Sequence, residues 1–419
     1  MTVIDGDTNR RIHGARVVIG KRFGYANPRG LAYVRVKRPA PLEVRVSKPG
    51  YGTRTVRLPL QRNRRGTVRL YRTATQWTMF GANPQRTNAH TAIKLRPPFR
   101  TVWSRGVGSL VEFPAVVHEG VAFVANYHGH VWALRMRDGA VVWRYRPSRS
   151  KMASSPAVVG EDVVIHGMDG LVRVLNRRNG KLRWSYRVGS PIESSPVVVN
   201  GVDYFGAWNG RIYALDLKRR TLRWSFRTGH KITSSAALHK GTLYIGDYGG
   251  RVHALAQRNG KRRWVASVNG RIYGTPAVDG KRVYVPSSTG GTMTAFSTGG
   301  RRLWRVSTGA YVYSSPAVWA GRVFFGSYNG RLYSVAAGTG RVLWTVPAGR
   351  VSGAAVVVDG IVYAGSTYGS ITAADAKTGK VVLRFPHGEY VPVSGNGSRL
   401  LLHGYSRLWA VEPVRKGKP

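Results

Sequence analysis

Seven tryptophans recur along this chain at an almost constant interval. They are Trp103, Trp143, Trp184, Trp224, Trp264, Trp304 and Trp344, and successive members are 40 or 41 residues apart. The next equivalent position, 39 residues further on, is occupied by Leu383. A period of this length predicts a series of similar structural units, each of which buries its hydrophobic surface against its neighbours.

Each unit contains the same signals for short β-strands. A Ser-Ser-Pro-like lead-in precedes an apolar stretch, as in "SSPAVV" from Ser154, and a second apolar stretch follows, as in "RVFFG" from Arg322. A two-residue turn such as Asn209-Gly210 then leads to a third strand, and the tryptophan lies in a fourth. Four antiparallel strands in forty residues predict one blade of a β-propeller, in which the tryptophan fills the gap between neighbouring sheets.

The number of first strands predicts eight blades. The final unit has strands at "RLLLHG" and "RLWAVEP", and no fourth strand follows them. The stretch "FRTVWSRGV", from Phe99 to Val107, precedes the first complete unit and supplies the missing strand. We therefore expect an all-β, eight-bladed β-propeller over residues 99–413, with the ring closed by pairing of its N- and C-terminal strands, which removes free sheet edges. Residues 414–419 form a basic tail.

Residues 1–72 do not carry the repeat. They contain five alternating stretches, "ARVVI", "LAYVRV", "LEVRV", "TRTVRLPL" and "GTVRLY", separated by turn signals such as "KPGYG" at Lys48. This pattern predicts a small β-sandwich. Residues 73–98 are expected to be a connector that runs along the propeller.

The N-terminal segment resembles a known family. Val3-Ile4-Asp5 with Thr8, the run from Ile12 to Val17, Asn27-Pro28-Arg29-Gly30 and Lys48-Pro49-Gly50-Tyr51 are similar to motifs of the carboxypeptidase regulatory-like (transthyretin-like) domain. The resemblance implies a non-catalytic sandwich of the extracellular space or the cell envelope. Because such modules often lie next to a membrane anchor, we expect an anchor or signal upstream of Met1 in the full-length protein.

The repeats resemble the tryptophan-docking motif of the pyrroloquinoline-quinone (PQQ)-like propellers. The run Ala-x5-Gly-x3-Trp is plain in "ALRMRDGAVVW" (Ala133 to Trp143) and returns in "ALAQRNGKRRW", and "QWTMFGANPQRTN" from Gln76 is similar to the segment that opens many of these propellers. The family contains quinoprotein dehydrogenases that hold PQQ and calcium on the ring axis. It also contains non-catalytic scaffolds, such as the lipoprotein of the outer-membrane β-barrel assembly machinery.

Composition excludes several functions. The chain has no cysteine, which excludes disulfides, thiolate catalysis and Cys-ligated zinc, and it has no apolar run of eighteen residues that could span a membrane. Against 18 acidic residues stand 66 basic ones, giving a net charge of +48. This charge attracts polyanions. Since 51 of the 66 are arginine, a biased codon usage is an equally good explanation.

The residues at the starts of the first strands are the candidate site. If these lead-ins share one face of the ring, they form an opening on its axis that carries both charges and tyrosines, a combination suited to a sugar polymer, a peptide or an anionic ligand. The candidate ligand or partner residues are Lys151, Glu193, Lys231, Arg271, Tyr273, Tyr311, Tyr313, Arg350, Glu389 and Tyr390.

No set of residues predicts catalysis or metal binding. The carboxylates at the lead-ins, including Glu112, are mixed with lysine and arginine, which disfavours a calcium site. Of the three histidines in "VVHEGVAFVANYHGHVW", His118 is expected at the opposite end of the blade from His128 and His130, and two ligands are too few for zinc. The basic residues after each tryptophan are expected to spread around the rim, which disfavours sequence-specific binding of nucleic acid.

The sequence thus predicts a non-catalytic binding or scaffold protein of the cell envelope, without a cofactor, that mediates protein or polymer interactions. Its expected partner is an envelope protein or an anionic polymer. We expect a monomer located outside the cytoplasm, which meets the membrane only through an anchor missing from this chain. Two alternatives stay open: a PQQ- and calcium-dependent quinoprotein dehydrogenase, and a non-specific polyanion-binding protein.

Overall fold

The computed structural model describes residues 1–36, 42–58, 66–147 and 150–414. Almost all of its regular structure is β-strand, and one short 3-10 helix spans Thr73–Thr75. Most of the expected basic tail, residues 415–419, lies outside the described residues. Across the described ranges, no helix is both long and apolar enough for a membrane crossing.

The N-terminal segment forms two small sheets around one core. Its strands are β1 (Thr2–Asp5), β2 (Arg16–Ile19), β3 (Arg22–Tyr25), β4 (Leu42–Ser47), β5 (Arg54–Leu58) and β6 (Thr67–Leu70). Strands β3, β2, β4 and β5 pair in that order, while β1 and β6 form a parallel pair. Val3, Val17 and Val44, which come from both sheets, are fully buried in a shared hydrophobic cluster.

One strand predicted in this segment is wrong. The stretch "LAYVRV", residues 31–36, makes only an isolated bridge from Leu31 to Thr2 and forms no regular strand. Alternation stabilises a strand only where one face is buried along its length, and here Ala32 is 1% exposed whereas Val36, on the same face, is 38% exposed. The strand β3, which was not predicted, occupies the edge of the four-stranded sheet instead.

Eight further sheets are formed by the 40-residue repeats in the described part of the chain. Two strands precede the first repeat, β7 (Ala89–His90) and β8 (Phe99–Gly106), and they join sheets 7 and 8. Sheet 1 contains β9 (Val116–His118), β10 (Val121–Ala125), β11 (Val131–Arg135) and β12 (Val141–Tyr145); sheet 2 contains β13 (Ala157–Val159), β14 (Asp162–His166), β15 (Leu171–Asn176) and β16 (Leu182–Arg187); sheet 3 contains β17 (Val197–Val199), β18 (Val202–Gly206), β19 (Arg211–Asp216) and β20 (Thr221–Arg227).

The next three sheets have the same order. Sheet 4 contains β21 (Ala237–His239), β22 (Thr242–Gly246), β23 (Arg251–Ala256) and β24 (Arg262–Ser267); sheet 5 contains β25 (Ala277–Val278), β26 (Arg282–Ser287), β27 (Thr292–Ser297) and β28 (Arg302–Ser307); sheet 6 contains β29 (Ala317–Trp319), β30 (Arg322–Gly326), β31 (Arg331–Ala336) and β32 (Val342–Pro347). Each is an antiparallel meander, as the repeat predicts.

The last two sheets recruit strands from outside their own repeats. Sheet 7 contains β33 (Val356–Val358), β34 (Ile361–Ser366), β35 (Ser370–Asp375) and β36 (Val381–Phe385), with β7 added in parallel to β33. Sheet 8 contains β37 (Val393–Gly395), β38 (Leu400–His403) and β39 (Arg407–Pro413), and its fourth strand is β8. The expected antiparallel pairing of β8 with the last strand is present, with Trp103 opposite Ala410. This arrangement of four-stranded sheets is that of a β-propeller.

The loops between second and third strands differ from the two-residue turns predicted. In sheet 1, Asn126 N–H donates to the His130 carbonyl and Gly129 N–H donates to the Asn126 carbonyl, which leaves a three-residue loop. Only the last residue of this loop, Gly129, has a positive φ, 76°. Three-residue hairpin loops commonly combine a type I turn with a left-handed glycine, whereas a two-residue type I′ turn requires positive φ at two positions.

The structure explains the Ala-x5-Gly-x3-Trp pattern. Ala254 lies directly opposite Trp264 on the neighbouring strand, beside a β-bulge, so a small residue accommodates the large ring. Gly260 lies against the ring of Trp224 in the preceding sheet. Six of the repeat tryptophans also donate an Nε1–H hydrogen bond of 2.8–3.3 Å to a carbonyl of the next sheet: Trp103, Trp143, Trp224, Trp264, Trp304 and Trp344.

Trp184 is the repeat tryptophan without this hydrogen bond in the described structure, and the next sheet shows the cause. At the position where the other repeats place glycine against the ring, the sheet that follows Trp184 has Arg220. The Arg220 guanidinium lies 5.9 Å from the centre of the Trp184 ring. A side chain thus occupies the space that glycine leaves open elsewhere, and Trp184 forms no equivalent hydrogen bond within the described residues.

The connector crosses the end of the first strands. Each of six first strands donates a backbone N–H to a connector carbonyl, at residues Val117, Val158, Leu238, Val278, Val318 and Val357. At the centre of this crossing lies Arg86, which has no exposed surface. The path differs from a connector that merely runs along the propeller, because the connector covers one end of the axis and hydrogen-bonds most of the sheets.

Candidate ligand-binding opening

The opposite end of the first strands carries the predicted residues. Seven lead-ins each accept a backbone hydrogen bond from the first residue of the loop between the second and third strands of the same repeat. The donor and acceptor pairs are Tyr127 and Leu110, Met168 and Lys151, Trp208 and Pro191, Tyr248 and Lys231, Ser288 and Arg271, Tyr328 and Tyr311, and Thr367 and Arg350. Lys151, Lys231, Arg271, Tyr311 and Arg350 therefore occupy equivalent positions at one end of their sheets. We call this surface the axial opening.

A second layer of predicted residues lies two positions further along the lead-ins. Glu193, Tyr273 and Tyr313 are half-buried there, and Glu112 holds the equivalent position in sheet 1. In the last sheet, where the lead-in differs, Glu389 N–H donates to the His403 carbonyl. Burial, followed by the charges of Glu389 and Glu112, raises the pKa of the neighbouring Tyr390 to about 12.

The structure brings together a continuous group of tyrosines. Tyr248 and Tyr273 have ring centres 4.5 Å apart, Tyr273 and Tyr313 5.1 Å, and Tyr313 and Tyr328 5.0 Å. Tyr311 contacts both Tyr313 and Tyr328 and is 49% exposed. We call these five residues the tyrosine crescent. Edge-to-face and tilted contacts of this kind hold aromatic rings in a fixed arrangement.

Four aromatic residues of the opening were missed in the sequence. Tyr127, Trp208, Tyr248 and Tyr328 are the first residues of their loops and are half-buried at the opening. The signal that could have found them is the register of the repeat, because each lies two residues before the loop glycine. The glycines of these loops indicated only turns.

Cations lie over several of these rings. The Lys231 ammonium is 3.2 Å from the centre of the Trp208 ring and 4.9 Å from that of Tyr248. The guanidinium of Arg271 lies 5.9 Å from the Tyr248 ring, and that of Arg350 lies 5.5 Å from the ring of Tyr368. Within the described part of the chain, none of these three cations forms an ion pair with a carboxylate. Their charges are therefore available to a ligand.

The two inner carboxylates already have hydrogen-bond donors. Tyr127 OH donates to Glu112 Oε2 at 2.6 Å, and Trp208 Nε1–H donates to Glu193 Oε2 at 3.0 Å. Burial raises the pKa of Glu112 to about 7, and the nearby Glu193 adds to the effect. Burial also raises the pKa of Glu193. A carboxyl that resists ionisation is a poor ligand for calcium, which prefers six to eight oxygen donors.

The floor of the opening is a chain of hydroxyl hydrogen bonds. The backbone N–H of Ser155 donates to Ser195 Oγ at 3.0 Å, that of Ser195 to Ser235 Oγ at 2.8 Å, and that of Thr275 to Ser315 Oγ at 2.8 Å. Each bond joins residues 40 positions apart, so it connects adjacent sheets. The Ser-Ser-Pro-like lead-ins thus connect neighbouring sheets by hydrogen bonds.

The buried hydroxyls of Ser195 and Ser235 are occupied by structural hydrogen bonds. Each accepts a backbone N–H of the preceding sheet's lead-in, and in the described structure neither is paired with a histidine or carboxylate that could act as a general base. Among the described residues, no group of three histidine, aspartate or glutamate side chains is placed to hold a metal ion. Glu112 and Glu193 therefore do not supply the set of six to eight oxygen ligands that calcium prefers.

We expect Glu112 to give the protein a pH-dependent stability. Since the pKa is raised on folding to about 7, the folded state favours the protonated acid, and this contribution is fully present below the unfolded pKa near 4.5 and lost as pH rises through 7. Glu112→Gln should therefore be more stable than the parent at pH 8 and close to it at pH 4.5. Urea midpoints at both pH values measure this difference. An equal offset at both pH values would contradict the expectation.

Comparisons with known proteins agree with this architecture. A family model described as the beta-propeller of the beta-alanine-activating enzyme matches residues 113–383. Quinoprotein ethanol dehydrogenase from Pseudomonas putida is 27% identical over 127 residues, which cover 26% of this chain and 20% of that protein. The chain thus spans about one fifth of the length of this curated relative.

Solved structures show the same fold at low identity. BamB from Moraxella catarrhalis has a TM-score of 0.65 and 19% identity, covering 77% of this chain and all of that one. Quinohemoprotein alcohol dehydrogenase from Comamonas testosteroni has a TM-score of 0.68 and 14% identity, covering 82% of each chain. The resemblance of the repeats to PQQ-like propellers is confirmed by these relatives. The family model matches more than half of this chain, and the chain therefore belongs to the β-propeller family named for the beta-alanine-activating enzyme.

Proposed function

We propose that this chain is a non-catalytic binding protein of the cell envelope, which uses the axial opening of an eight-bladed propeller to engage a protein or polymer. It needs no resident cofactor for this role. The observation that carries the proposal is the opening itself, where half-buried aromatic rings stand beside cations without carboxylate partners in the described structure. Such a surface combines apolar area with exposed charge, as ligand-binding sites do.

The eight-bladed ring rests on contacts between the sheets. The first strands of sheets 1 and 2, β9 and β13, lie side by side, as do those of sheets 4, 5, 6 and 7. The first strand of sheet 8, β37, lies against β9 of sheet 1. One hydrophobic cluster combines Val117 of sheet 1, Tyr363 of sheet 7 and Leu401 of sheet 8. Together with the pairing of β8 and β39, these contacts support a closed ring with each sheet as one blade.

The N-terminal module, residues 1–72, is proposed to be a carboxypeptidase regulatory-like sandwich fixed to the propeller. Arg54 of the module and Arg177 of sheet 2 both pair with Glu119 Oε2, at 2.7 and 2.9 Å. Asn396 of sheet 8 donates to Asp7 Oδ1 at 2.9 Å. These contacts lie at the end of the propeller away from the axial opening, which leaves the opening free for a partner.

The envelope location and the monomeric state are part of the same proposal. The location is supported by the resemblance of both parts of the chain to families found in the envelope, and a membrane anchor outside this sequence would fit it. Sequence-specific recognition of nucleic acid is not proposed, because the cations noted after each tryptophan belong to successive fourth strands rather than to one groove.

A quinoprotein dehydrogenase is the second candidate, favoured by the partial match to quinoprotein ethanol dehydrogenase. If the chain is a binding protein without a quinone site, its thermal midpoint should not change when PQQ and calcium are added together at fixed salt. A ligand present at a hundred times its dissociation constant would stabilise the fold by about 2.7 kcal/mol and raise the midpoint visibly. A quinoprotein dehydrogenase stripped of its cofactor serves as the positive control. A calcium-dependent rise, with dye-linked oxidation of ethanol, would overturn the proposal.

A further inference from the structure

We propose that the axial opening binds a sugar polymer whose rings carry carboxylate or phosphate groups, with the sugar rings on the tyrosine crescent and the anionic groups on Lys231 and Arg271. This inference rests on the proposed function and names the class of partner for the same site.

The tyrosine crescent supplies surfaces of the right kind for sugar rings. Tyr273, Tyr313 and Tyr328 follow one another at ring-centre distances of 5.1 and 5.0 Å, and Tyr311 extends the group outward. A sugar ring has an apolar face of C–H groups and an edge of hydroxyls. Aromatic residues with an apolar body and a polar tip match both, since the ring contacts the C–H face and the hydroxyl contacts the edge.

The cations are placed to select anionic sugars over neutral ones. Lys231 is held between the Trp208 and Tyr248 rings, which fixes the ammonium at the edge of the crescent. Arg271 is exposed and lies on the same side, close to Tyr248. The net charge of +48 draws a polyanion to the protein at long range, and these two cations give it a defined position.

The inner carboxylates argue against a simple polyanion as the ligand. Glu112 and Glu193 present carboxyl oxygens at the opening, beside the Tyr127 hydroxyl and the Trp208 indole that donate to them. A chain of phosphates without sugars carries no hydroxyl donor for these carboxyl oxygens. Sugar hydroxyls, in contrast, donate well to carboxyl oxygens. A site whose polar groups are left unpaired by the wrong ligand discriminates against that ligand.

Calorimetric titration of the full chain at 0.15 M salt tests the inference with three probes of six units each. They are a galacturonic acid hexamer, neutral maltohexaose and hexametaphosphate. We expect the galacturonate hexamer to bind at least about tenfold more tightly than either of the others, a difference of about 1.4 kcal/mol. Equal binding of hexametaphosphate would mean that net charge alone is responsible, and equal binding of maltohexaose would mean that the cations play no part. Either result overturns the inference.

Variants locate the site. Tyr273→Ala and Arg271→Gln should each weaken binding of the hexamer about tenfold, whereas Tyr273→Phe should stay within about threefold because it keeps the ring. Matched controls on other surfaces are Tyr25→Ala, a 60% exposed tyrosine of the N-terminal module, and Arg187→Gln on β16. Because Arg271 is exposed and its side chain makes no hydrogen bond within the described structure, its variant should fold even if Tyr273→Ala does not. Unchanged binding in Arg271→Gln overturns the assignment.

A separate measurement distinguishes failure of this inference from failure of the proposed function. The photo-crosslinking residue p-benzoylphenylalanine is placed at Tyr311 at the opening, and at Tyr25 as the control, in cells that make the protein. If no sugar hexamer binds but Tyr311 crosslinks to a protein and Tyr25 does not, the sugar inference is wrong and the binding function stands. If the hexamer does not bind and neither position yields a product, both proposals fail.

Discussion

Replacement of Arg86 by alanine is expected to lower the free energy of unfolding by about 3–5 kcal/mol. The Arg86 side chain has no exposed surface and donates to carbonyls on three segments: Nε to Ala236 at 2.9 Å, Nη2 to Pro196 at 2.8 Å, and Nη1 to Phe80. Removing the guanidinium would leave these buried acceptors without donors and would open a cavity at the end of the axis.

The protonation state of the Arg86 guanidinium affects the strength of these hydrogen bonds. Burial lowers the pKa of Arg86 to about 9, and the charge of Asp203 acts in the opposite direction. The guanidinium therefore remains protonated at neutral pH, where hydrogen bonds from a charged donor are stronger than those from a neutral one. The bonds connect the connector to sheets 3 and 4, so their loss should weaken the attachment of the connector across the propeller.

Urea unfolding of three variants measures the effect and separates its causes. Arg86→Met restores most of the lost volume but not the donors, so it should recover only the part of the loss that comes from the cavity. Arg187→Ala, at an exposed position on β16, should change the unfolding free energy by no more than about 0.5 kcal/mol. A loss for Arg86→Ala as small as that of Arg187→Ala would show that the connector does not depend on this side chain.

Gly260→Ala is expected to destabilise the protein by about 3 kcal/mol, through a clash with a tryptophan of the neighbouring sheet. Gly260 has a φ of +70°, and a Cβ at this position would lie 2.6 Å from Cε3 of Trp224. The substitution therefore strains the backbone and forces the ring out of position. The displaced ring would also lose its hydrogen bond to the Gln257 carbonyl, now 3.0 Å long.

Gly241→Ala is a matched control for the backbone part of this effect. Gly241 has the same φ of +70°, but a Cβ there would have no neighbour within 4 Å. It should cost about 1 kcal/mol from the left-handed conformation alone. The difference of about 2 kcal/mol between the two variants, measured by urea unfolding, then reports the contact with Trp224. Equal losses would mean that the ring moves freely and that this contact does not stabilise the packing of the sheets.

The two predictions concern different contacts, one between repeats and one between the connector and the repeats, and the sequence revealed the first better than the second. The Trp224 and Gly260 contact repeats around the chain, so its residue types are visible as a periodic pattern. The Arg86 contacts occur once. A single arginine in the stretch "NPQRTN" is indistinguishable from an exposed one until the connector is seen to cross the axis.

The candidate site shows the same division. The lead-in residues Lys231, Arg271, Tyr273 and Tyr313 could be proposed from the sequence because they fall at two recurring positions of the repeat, provided that all lead-ins share a face. Trp208 and Tyr248 also hold one position of the repeat, two residues before the loop glycine, but they lie in loops whose glycines indicated only turns. Which rings touch, and at what distance, depends on the rotation from one sheet to the next.

Within the repeats, the sequence by itself determined the strands and their grouping in fours, because both follow from a local pattern repeated every forty residues. It erred where a local pattern had no neighbour to stabilise it, as at residues 31–36, and where a turn depends on backbone angles, as at Gly129. The tertiary structure alone decided the path of the connector, the burial of Arg86 and the assembly of the tyrosine crescent. These features join side chains from different repeats or from the connector, and packing of the sheets side by side brings them within contact distance.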